Sequence, residues 1–431
     1  MNDISKAQQE FLDEIQQYPD AFQSKVDSSR RGFIRGTAAA GVALGAAGAL
    51  GACATKTATH GTTAPVTGAS GVTAVPEGKL GTDKSETEKV VNFSNWVSYI
   101  DVDPNDKTKR PTLANFKTQT GITVNYTEDV NSNDDFFAKV HQQLADGQDT
   151  GRDIMVLSDW MISKLRQLGY LELLDMSNIP NAKNLTAAAA NPAYDPNRKH
   201  TVPWAQGFTL IGVNLKSAGL TADLAKQMSI KDMMTNPKYN GKVGYFAEME
   251  DGTGFAMLAL GFDPANFTDD QFNQAVAYVQ KAKDNNQIRK FTGNDYLADL
   301  QNGNFAVCMA YSGDVAQLDD ANIVWTVPTE GMLWFADNMC IPAMASHKAN
   351  AEKFMNYMLD PKVAAALDDS ISYVPSMVGA DAAMKVLDAP QLGNLLIFPD
   401  DKTKAQAHEF KALDLKTIDA YIKKFNTVVN G

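Results

Sequence analysis

The stretch "RPTLANFKTQTGITVNYTEDV", Arg110–Val130, decides the fold class, because it contains a helix and a strand joined by a single glycine. Pro111 suits the first turn of a helix, where its missing N–H is not needed, and Gly121 suits the residue after the last turn. The run that follows Gly121 is rich in β-branched and aromatic residues, which is typical of a strand. The sequence therefore predicts a helix followed directly by a strand.

The same alternation continues on both sides of this stretch. "VVNFSNW" (90–96) and "DIMVLSDW" (153–160) predict flanking strands, while "NDDFFAKVHQQLADG" (133–147) and "MISKLRQLGY" (161–170) predict amphipathic helices. A β-α-β-α-β order is typical of a parallel α/β sheet. A second set of strands and helices follows from Thr201, with no internal repeat, so the sequence predicts two α/β lobes.

Length and charge limit the classes of function. A chain of 431 residues with 44% hydrophobic residues is long enough for two domains with sizeable cores. The net charge is −12, which argues against nucleic acid as a partner and is compatible with a cationic one.

The first 53 residues are predicted to be an export signal. "SRRGFIRG" (29–36) carries the adjacent arginines Arg30 and Arg31, and the uncharged Ala/Gly-rich run behind it is too weakly apolar to span a membrane. This segment resembles a twin-arginine export signal, and "LGAC" (50–53) resembles a lipoprotein cleavage box with Cys53 as the lipidated residue. The alternative is an ordinary signal that is cut nearby, with Cys53 discarded. Residues 54–89, rich in Thr, Ala, Gly and Ser, are predicted to be a flexible tether that follows the lipid anchor.

Motifs for catalysis are absent from the sequence. There is no G-x-S-x-G elbow, no P-loop and no H-E-x-x-H, and the five histidines are scattered singly. "DVDPND" (101–106) imitates the start of a calcium loop but lacks the later glycine and glutamate. We therefore expect neither a catalytic group nor a metal or cofactor. Cys308 and Cys340 are expected to be buried free thiols, although export would permit a disulfide.

Aromatic and acidic residues recur together where predicted strands end. Ligands of open α/β sheets bind at the carboxyl ends of strands, so these groups are expected to converge. Carboxylates bind ammonium groups through charge-assisted hydrogen bonds, and aromatic faces attract cations. Any single aromatic could instead be core and any single acid a helix cap, so the prediction depends on the recurrence. The groups are Trp96 and Tyr99 with Asp101; Ser158, Asp159 and Trp160; Glu248, Glu250 and Asp251; Tyr311 and Asp314; and Phe335 and Asp337.

From Val90 to about Asn426 the chain resembles the spermidine/putrescine-binding proteins of ABC transporters. The most specific matches are "DYLADLQNGNFAVCMAYSGDV" (295–315) and "DNMCIPAMASHKANAEKFMNYMLDPKVA" (337–364), with "FSNWVSYI" (93–100) and "VPWAQGFTLIGVN" (202–214) in the family's order. The resemblance implies an α/β, two-lobed periplasmic binding protein of type II-like fold, with a hinge and a ligand cleft between the lobes, and no chemistry. It implies lobe 1 at 90–205 plus about 328–372, and lobe 2 at 206–327 plus about 373–431.

The resemblance also implies which residues bind the ligand. Two positions depart from the family pattern: Ser98 stands where many members carry an acid, and Tyr311 stands where the family usually has tryptophan. The implied ligand-binding residues are Trp96, Tyr99, Ser158, Trp160, Glu248, Asp251, Tyr311, Asp314, Phe335, Asp337 and Tyr373.

The sequence thus predicts a monomeric, lipid-anchored receptor on the extracytoplasmic (periplasmic) side that captures a di- or polyamine and delivers it to permease subunits of an ABC transporter. Three alternatives stay open. One is a binding protein of the same fold for another organic cation, such as a guanidinium or quaternary amine. The second is an exported hydrolase that uses Glu248 and Asp251 as acid and base. The third is an adhesion or scaffold lipoprotein with an inactive cleft.

Overall fold

A computed structural model describes residues 77–431 of the chain. The predicted export signal with Arg30 and Arg31, the lipidation site Cys53 and the first part of the predicted tether lie outside the described residues. In the described part, no helix combines the length and the apolar character that crossing a membrane requires.

The first third of the described chain alternates strands and helices as predicted. Strand β1 pairs in parallel with both β2 and β3. Gly121 ends the first helix with φ 73°, a left-handed conformation that favours glycine, and the Ser132 hydroxyl accepts a hydrogen bond from the N–H of Asp135 at the start of the second. The elements are β1 Val90–Trp96, α1 Pro111–Thr120, β2 Thr123–Val130, α2 Asn133–Asp146, β3 Ile154–Ser158 and α3 Asp159–Leu168.

A long buried strand, β4, begins the second half of the fold. Two residues separate β5 from helix α8, so Glu250 and Asp251 lie in the first turn of this helix. The elements are α4 Ala187–Ala190, β4 Thr201–Asn214, α5 Leu215–Ala218, α6 Ala222–Ala225, α7 Ile230–Thr235, β5 Val243–Phe246, α8 Met249–Leu260, α9 Asp269–Asp284, β6 Ile288–Thr292, α10 Tyr296–Gln301, β7 Val307–Tyr311, α11 Ser312–Ala316, β8 Ile323–Thr326 and β9 Met332–Cys340.

Strands β4 and β9 join the two halves of one mixed sheet. The strand order is β2-β1-β3-β9-β4-β7-β5-β6. The first part of β4 is antiparallel to β9, from Thr201 to Thr209, and its last part is antiparallel to β7 and β8. The parallel arrangement predicted for the first strands is therefore confirmed for β1, β2 and β3, and β5 is likewise parallel to β6 and β7. Strands β4 and β9, which join the halves, are antiparallel to each other.

The C-terminal elements pack against both halves. The side chain of Gln167 in α3 donates to the carbonyl of Leu413 and accepts from the N–H of Leu415, which fixes the start of the last helix. That helix then packs against α8 and α9 in the other half. The elements are α12 Lys348–Met358, α13 Pro361–Ile371, α14 Ala380–Leu387, α15 Asp401–Lys404, β10 Ala407–His408, which pairs with β9, and α16 Leu415–Asn430.

Residues 77–89 are bound to the folded domain, so the tether predicted for residues 54–89 is too long at its C-terminal end. The N–H of Gly78 donates to the carbonyl of Leu171 over 3.1 Å, and the Ser85 hydroxyl accepts from the N–H of Asn350 over 3.0 Å. The Glu88 carboxylate lies 2.8 Å from Nε2 of His347. The segment carries few apolar residues because polar hydrogen bonds, and not hydrophobic burial, hold it on the domain.

Both described cysteines, Cys308 and Cys340, are buried free thiols, which confirms that prediction. They lie in β7 and β9, within the apolar core of the sheet. Burial raises the pKa of both thiols far above the usual value of 9.0, so they remain neutral core residues.

Candidate functional site

A cavity of about 620 Å³ lies where the two halves of the sheet meet. All of the predicted ligand-binding residues except Glu248 line it. Three features of the fold bring them together. Strands β1, β3 and β7 end at the cavity, and helices α8 and α11 begin there. Strand β9 presents the alternate residues Phe335 and Asp337 on one face. The lining residues are Trp96, Val97, Tyr99, Ser158, Asp159, Trp160, Glu250, Asp251, Asn294, Tyr311, Asp314, Leu333, Trp334, Phe335, Asp337, Tyr373 and Phe410.

Asp337 is held by two neutral hydroxyl groups. The Tyr99 hydroxyl donates to one carboxylate oxygen over 2.9 Å, and the Ser158 hydroxyl donates to the other over 2.8 Å. Burial raises the pKa of Asp337 to about 6, although both hydrogen bonds favour the ionised form. The charge of this carboxylate is therefore oriented but not neutralised.

Asp314 has the same kind of environment on the opposite half. The hydroxyl of Tyr373 donates to it over 2.9 Å and that of Tyr296 over 3.1 Å, and burial raises its pKa to about 6. Gly313 makes room for this arrangement, because a Cβ at that position would lie 2.1 Å from the ring of Tyr373. The glycine next to the acid is thus needed for the tyrosine to reach it.

Asp251 is the third such acid. It lies in the first turn of α8, where the Thr209 hydroxyl donates to it over 2.6 Å and the Tyr311 hydroxyl over 3.2 Å. Burial again raises its pKa to about 6. Tyr311 fills the position at which the sequence departs from the family's tryptophan, and its hydroxyl supplies this bond, which an indole ring would not make in the same way.

Glu248 has a different set of partners. One of its carboxylate oxygens accepts from the N–H of Asn133 over 2.6 Å, and the other accepts from the Asn133 side-chain amide over 2.8 Å and from the Trp160 indole over 3.3 Å. Burial and the charge of Asp251 raise its pKa to about 8. The structure therefore separates the predicted acidic pair: Asp251 lines the cavity, while Glu248 connects the start of α8 to the start of α2 in the other half.

Basic side chains do not pair with these acids. Among residues 77–431, the ion pairs lie elsewhere, and Asp251, Asp314 and Asp337 accept hydrogen bonds only from hydroxyl groups. Buried carboxylates without a cationic partner are unfavourable when ionised. Three of them around one cavity provide a site for cationic groups of a ligand.

Aromatic rings form the remaining walls. The rings of Tyr99 and Tyr373 meet edge to face with their centroids 4.9 Å apart, and those of Tyr311 and Phe335 meet at 5.3 Å. Trp96 is 7% exposed and lines the same space. Such faces attract cations and contact methylene chains, so the cavity suits a flexible organic cation. Within the described residues, no group of three or more His, Cys, Asp or Glu side chains is positioned to hold a metal ion.

Asp101 does not reach the cavity. It is 2% exposed, and its carboxylate accepts from the N–H of Thr112 over 2.9 Å, at the start of α1. The alternative role of a strand-end acid as a helix cap therefore applies to this residue. Ser98 stands where the family pattern often has an acid. It adopts a left-handed conformation with φ 58° in the turn that follows β1.

The sequence also missed residues that line the cavity. Asp159 and Glu250 belong to the predicted strand-end groups, but they are not among the ligand-binding residues that the family resemblance implies. The others have no sequence signal, because they come from loops and strands that only the tertiary fold brings close: Val97, Asn294, Leu333, Trp334 and Phe410.

The chain belongs to the bacterial extracellular solute-binding protein family, which matches residues 112–394. This confirms the predicted class, a two-lobed α/β binding protein. Among solved structures, the spermidine/putrescine ABC transporter substrate-binding protein PotD from Streptococcus pneumoniae shares the fold, with a TM-score of 0.62 and 24% identity over 79% of this chain and 98% of that one.

Two curated relatives come from Escherichia coli. The putrescine-binding periplasmic protein PotF is 28% identical over 360 residues, which cover 80% of this chain and 92% of the relative. The spermidine/putrescine-binding periplasmic protein is 28% identical over 324 residues, covering 74% of this chain and 86% of the relative. The chain is therefore similar over nearly the whole length of both.

Proposed function

We propose that this protein binds a di- or polyamine of the putrescine or spermidine class on the extracytoplasmic side and delivers it to the permease of an ABC transporter. One observation carries the proposal: Asp251, Asp314 and Asp337 surround one aromatic cavity and have only neutral hydrogen-bond donors. The two Escherichia coli relatives are putrescine- and spermidine/putrescine-binding proteins, which agrees with this ligand class.

The three acids and the rings would act on different parts of the ligand. Each ammonium group would donate to a carboxylate and supply the missing positive charge, which makes ionisation of the carboxylate favourable. The tyrosine and serine hydroxyls already orient the carboxylates, so little reorganisation is needed on binding. The methylene chain between the nitrogens would contact the aromatic walls around Trp96 and Phe335.

Release and capture require the cleft to open. We infer that the two lobes, divided as the family resemblance implies, rotate about Pro203–Thr209 in β4 and Val327–Thr329 before β9. Both segments lie where the chain passes between the halves of the sheet. Binding of an amine would then favour the closed form that docks on the permease, and the Glu248–Asn133 bonds would add to the closed contacts.

The N-terminal segment supports a location outside the cytoplasm. We infer export through Arg30 and Arg31 and lipid anchoring at Cys53, on the sequence motifs alone. Exchange of both arginines for lysine should keep the protein inside the cell, and Cys53→Ala should release it from the membrane fraction. If both variants fractionate like the wild type, the anchored form is excluded.

Native mass spectrometry of protein purified from its host tests the ligand class. A retained mass equal to that of a di- or polyamine, removed by partial denaturation and restored by titration, supports the proposal. Isothermal titration should then compare putrescine and spermidine with agmatine, which carries a guanidinium, and choline, a quaternary amine. Tighter binding of agmatine or choline than of any polyamine would favour the alternative of another organic cation.

A further inference from the structure

A second chamber of about 1060 Å³, open to solvent, adjoins the ligand cavity. The two spaces share a boundary, because Asp159, Trp160, Glu250, Trp334 and Phe410 line both of them. A ligand that reaches from the first cavity into the second chamber would therefore contact these boundary residues. Of the ligand-binding residues that the family resemblance implies, Trp160 lines this second chamber, as do Asp159 and Glu250 of the predicted strand-end groups.

Gln206 in β4 points to a ligand group in the second chamber. It is 9% exposed, and its backbone pairs with Val374 through bonds of 3.2 and 2.8 Å. Its side-chain amide lines the chamber and has no hydrogen-bond partner among the described residues. Because the chamber is open to solvent, water can hydrate this amide in the empty protein, and a polar ligand group would replace that water.

Two carboxylates at the boundary have no hydroxyl or cationic partner among the described residues. Glu250 has no hydrogen bond or ion pair with any described residue, and burial raises its pKa well above 4.5. Asp159 accepts only from the N–H of its own neighbour Trp160, over 2.8 Å, and burial raises its pKa to about 7. Glu409 adds a third carboxylate at the exposed rim of the chamber. Asp251, Asp314 and Asp337 are held by hydroxyl groups, whereas Asp159 and Glu250 accept from none in the described part of the chain.

Among residues 77–431, Arg198 is the one cationic side chain that lines the chamber, and its position does not exclude a cation. Its guanidinium donates to the Ala189 carbonyl, the Thr201 hydroxyl, the Asn338 side chain and the Tyr194 hydroxyl. It is 2% exposed, so these donors are directed into the protein wall. Three carboxylates against one wall-bound guanidinium leave the chamber acidic.

We propose that the bound amine has at least three nitrogens and extends into the second chamber, where Glu250 and Gln206 bind the third nitrogen. The inference rests on the proposed function and adds selectivity to it. Two ammonium groups would bind among Asp251, Asp314 and Asp337, and the rings of Trp160 and Trp334 line both chambers. A diamine held in the first cavity would not reach Gln206, so the protein should discriminate by ligand length.

Isothermal titration of the wild type, Glu250→Gln and Gln206→Leu with putrescine and spermidine tests this selectivity. The wild type should bind spermidine about tenfold more tightly than putrescine, since a hydrogen bond to a charged group has this magnitude. Because Glu250 also lines the first cavity, Glu250→Gln should lower spermidine affinity by about tenfold and putrescine affinity by a smaller factor. Gln206→Leu should show the same pattern with a smaller loss. Glu86→Gln, at an exposed position remote from both chambers, is the matched control.

Several outcomes would overturn the inference while leaving amine binding intact. These are equal binding of both amines by the wild type, an equal loss for both amines in Glu250→Gln, and no loss for either. Tighter binding of 4-aminobutanoate than of putrescine would show that Arg198 takes a carboxylate in the chamber, which also overturns it. If the wild type binds no amine at all, the proposed function fails, and this inference fails with it.

Discussion

Asp195 and Asp314 are the same residue type at nearly the same burial, 1% and 6% exposed, yet their environments differ. Asp195 accepts from the N–H and imidazole of His200, over 3.0 and 3.1 Å, and from the Thr201 hydroxyl over 2.8 Å. Burial raises its pKa, but these bonds outweigh burial, so the pKa lies below 3.8. Asp314 accepts from two tyrosines, and its pKa rises to about 6.

The difference separates structural acids from ligand acids. The bonds around Asp195 compensate its charge within the fold, so it stabilises the segment before β4 without any ligand. The charge of Asp314 is oriented but uncompensated, so its ionised form makes the empty protein less stable and the liganded protein more so. Asp251 and Asp337 share the properties of Asp314, which is why the three act as one site.

Removing a single cleft charge should have the largest effect. Asp314→Asn and Asp337→Asn should each weaken amine binding by about 2–5 kcal/mol, or roughly thirtyfold to several thousandfold, because a desolvated ammonium loses its counter-charge. Asp195→Asn should instead lower the thermal midpoint and leave amine affinity within about threefold. Isothermal titration and thermal melting measure the two effects.

Asp223→Asn is the control for these variants, since the side chain of Asp223 is 92% exposed. Strong loss of binding in Asp195→Asn, or unchanged binding in both cleft variants, would show that the two kinds of acid do not differ in function.

The second largest effect on amine affinity, after removal of a cleft carboxylate, should come from acidification. The pKa values of Asp251, Asp314 and Asp337 lie at about 6 in the empty cleft, so the acids become protonated as the pH falls through 6. An ammonium ligand binds the ionised form, and affinity should therefore drop by at least about tenfold between pH 7 and pH 5. Titration across this range, with proton release measured in two buffers of different ionisation enthalpy, checks it. Constant affinity from pH 7 to pH 5 would contradict the assignment.

The folding stability of the empty protein should change with pH in the opposite sense: it should increase as the pH falls. Folding raises the pKa of Asp314 from 3.8 to about 6, so the protonated form is favoured in the folded state. The favourable contribution is present below pH 3.8 and is lost as the pH rises through 6. Asp314→Asn should therefore stabilise the empty protein at pH 7 by about 1–2 kcal/mol. Thermal melting should rank the variant above the wild type without putrescine and below it at saturating putrescine. The same ranking in both conditions would contradict the prediction.

The smallest effect, a change in melting temperature, should come from Glu88 and Asp153, which already have a cationic partner in protonated His347. Burial lowers the pKa of His347, but hydrogen bonds with Glu88 and Asp153 outweigh burial, and the pKa lies above 6.5. Its stabilisation is fully present below pH 6.5 and is lost as the pH rises through the folded-state pKa. The wild-type melting temperature should fall by roughly 2 °C more than that of His347→Gln on going from pH 6 to pH 9. Parallel pH profiles would show that the imidazolium does not stabilise residues 77–89.

The path of the chain could be predicted from the sequence with good detail. Pro111 and Gly121 mark the ends of α1 because proline and glycine act locally, through a missing donor and a permitted left-handed φ. The hydrophobic pattern of β1 to α3 likewise depends on residues a few positions apart. Strand ends with aromatic and acidic residues therefore located most of the cavity in advance.

The sequence by itself determined the helices, the strands, their parallel order in the first half and the surplus of acids at strand ends. Only the tertiary structure decided which acid does what. Asp101 caps α1, Glu248 binds Asn133 across the cleft, and Glu250 faces a second chamber, although all three are acids beside a strand end. The reason is physical: secondary structure follows from local contacts, whereas the role of a buried charge depends on which distant donor comes within 3 Å of it.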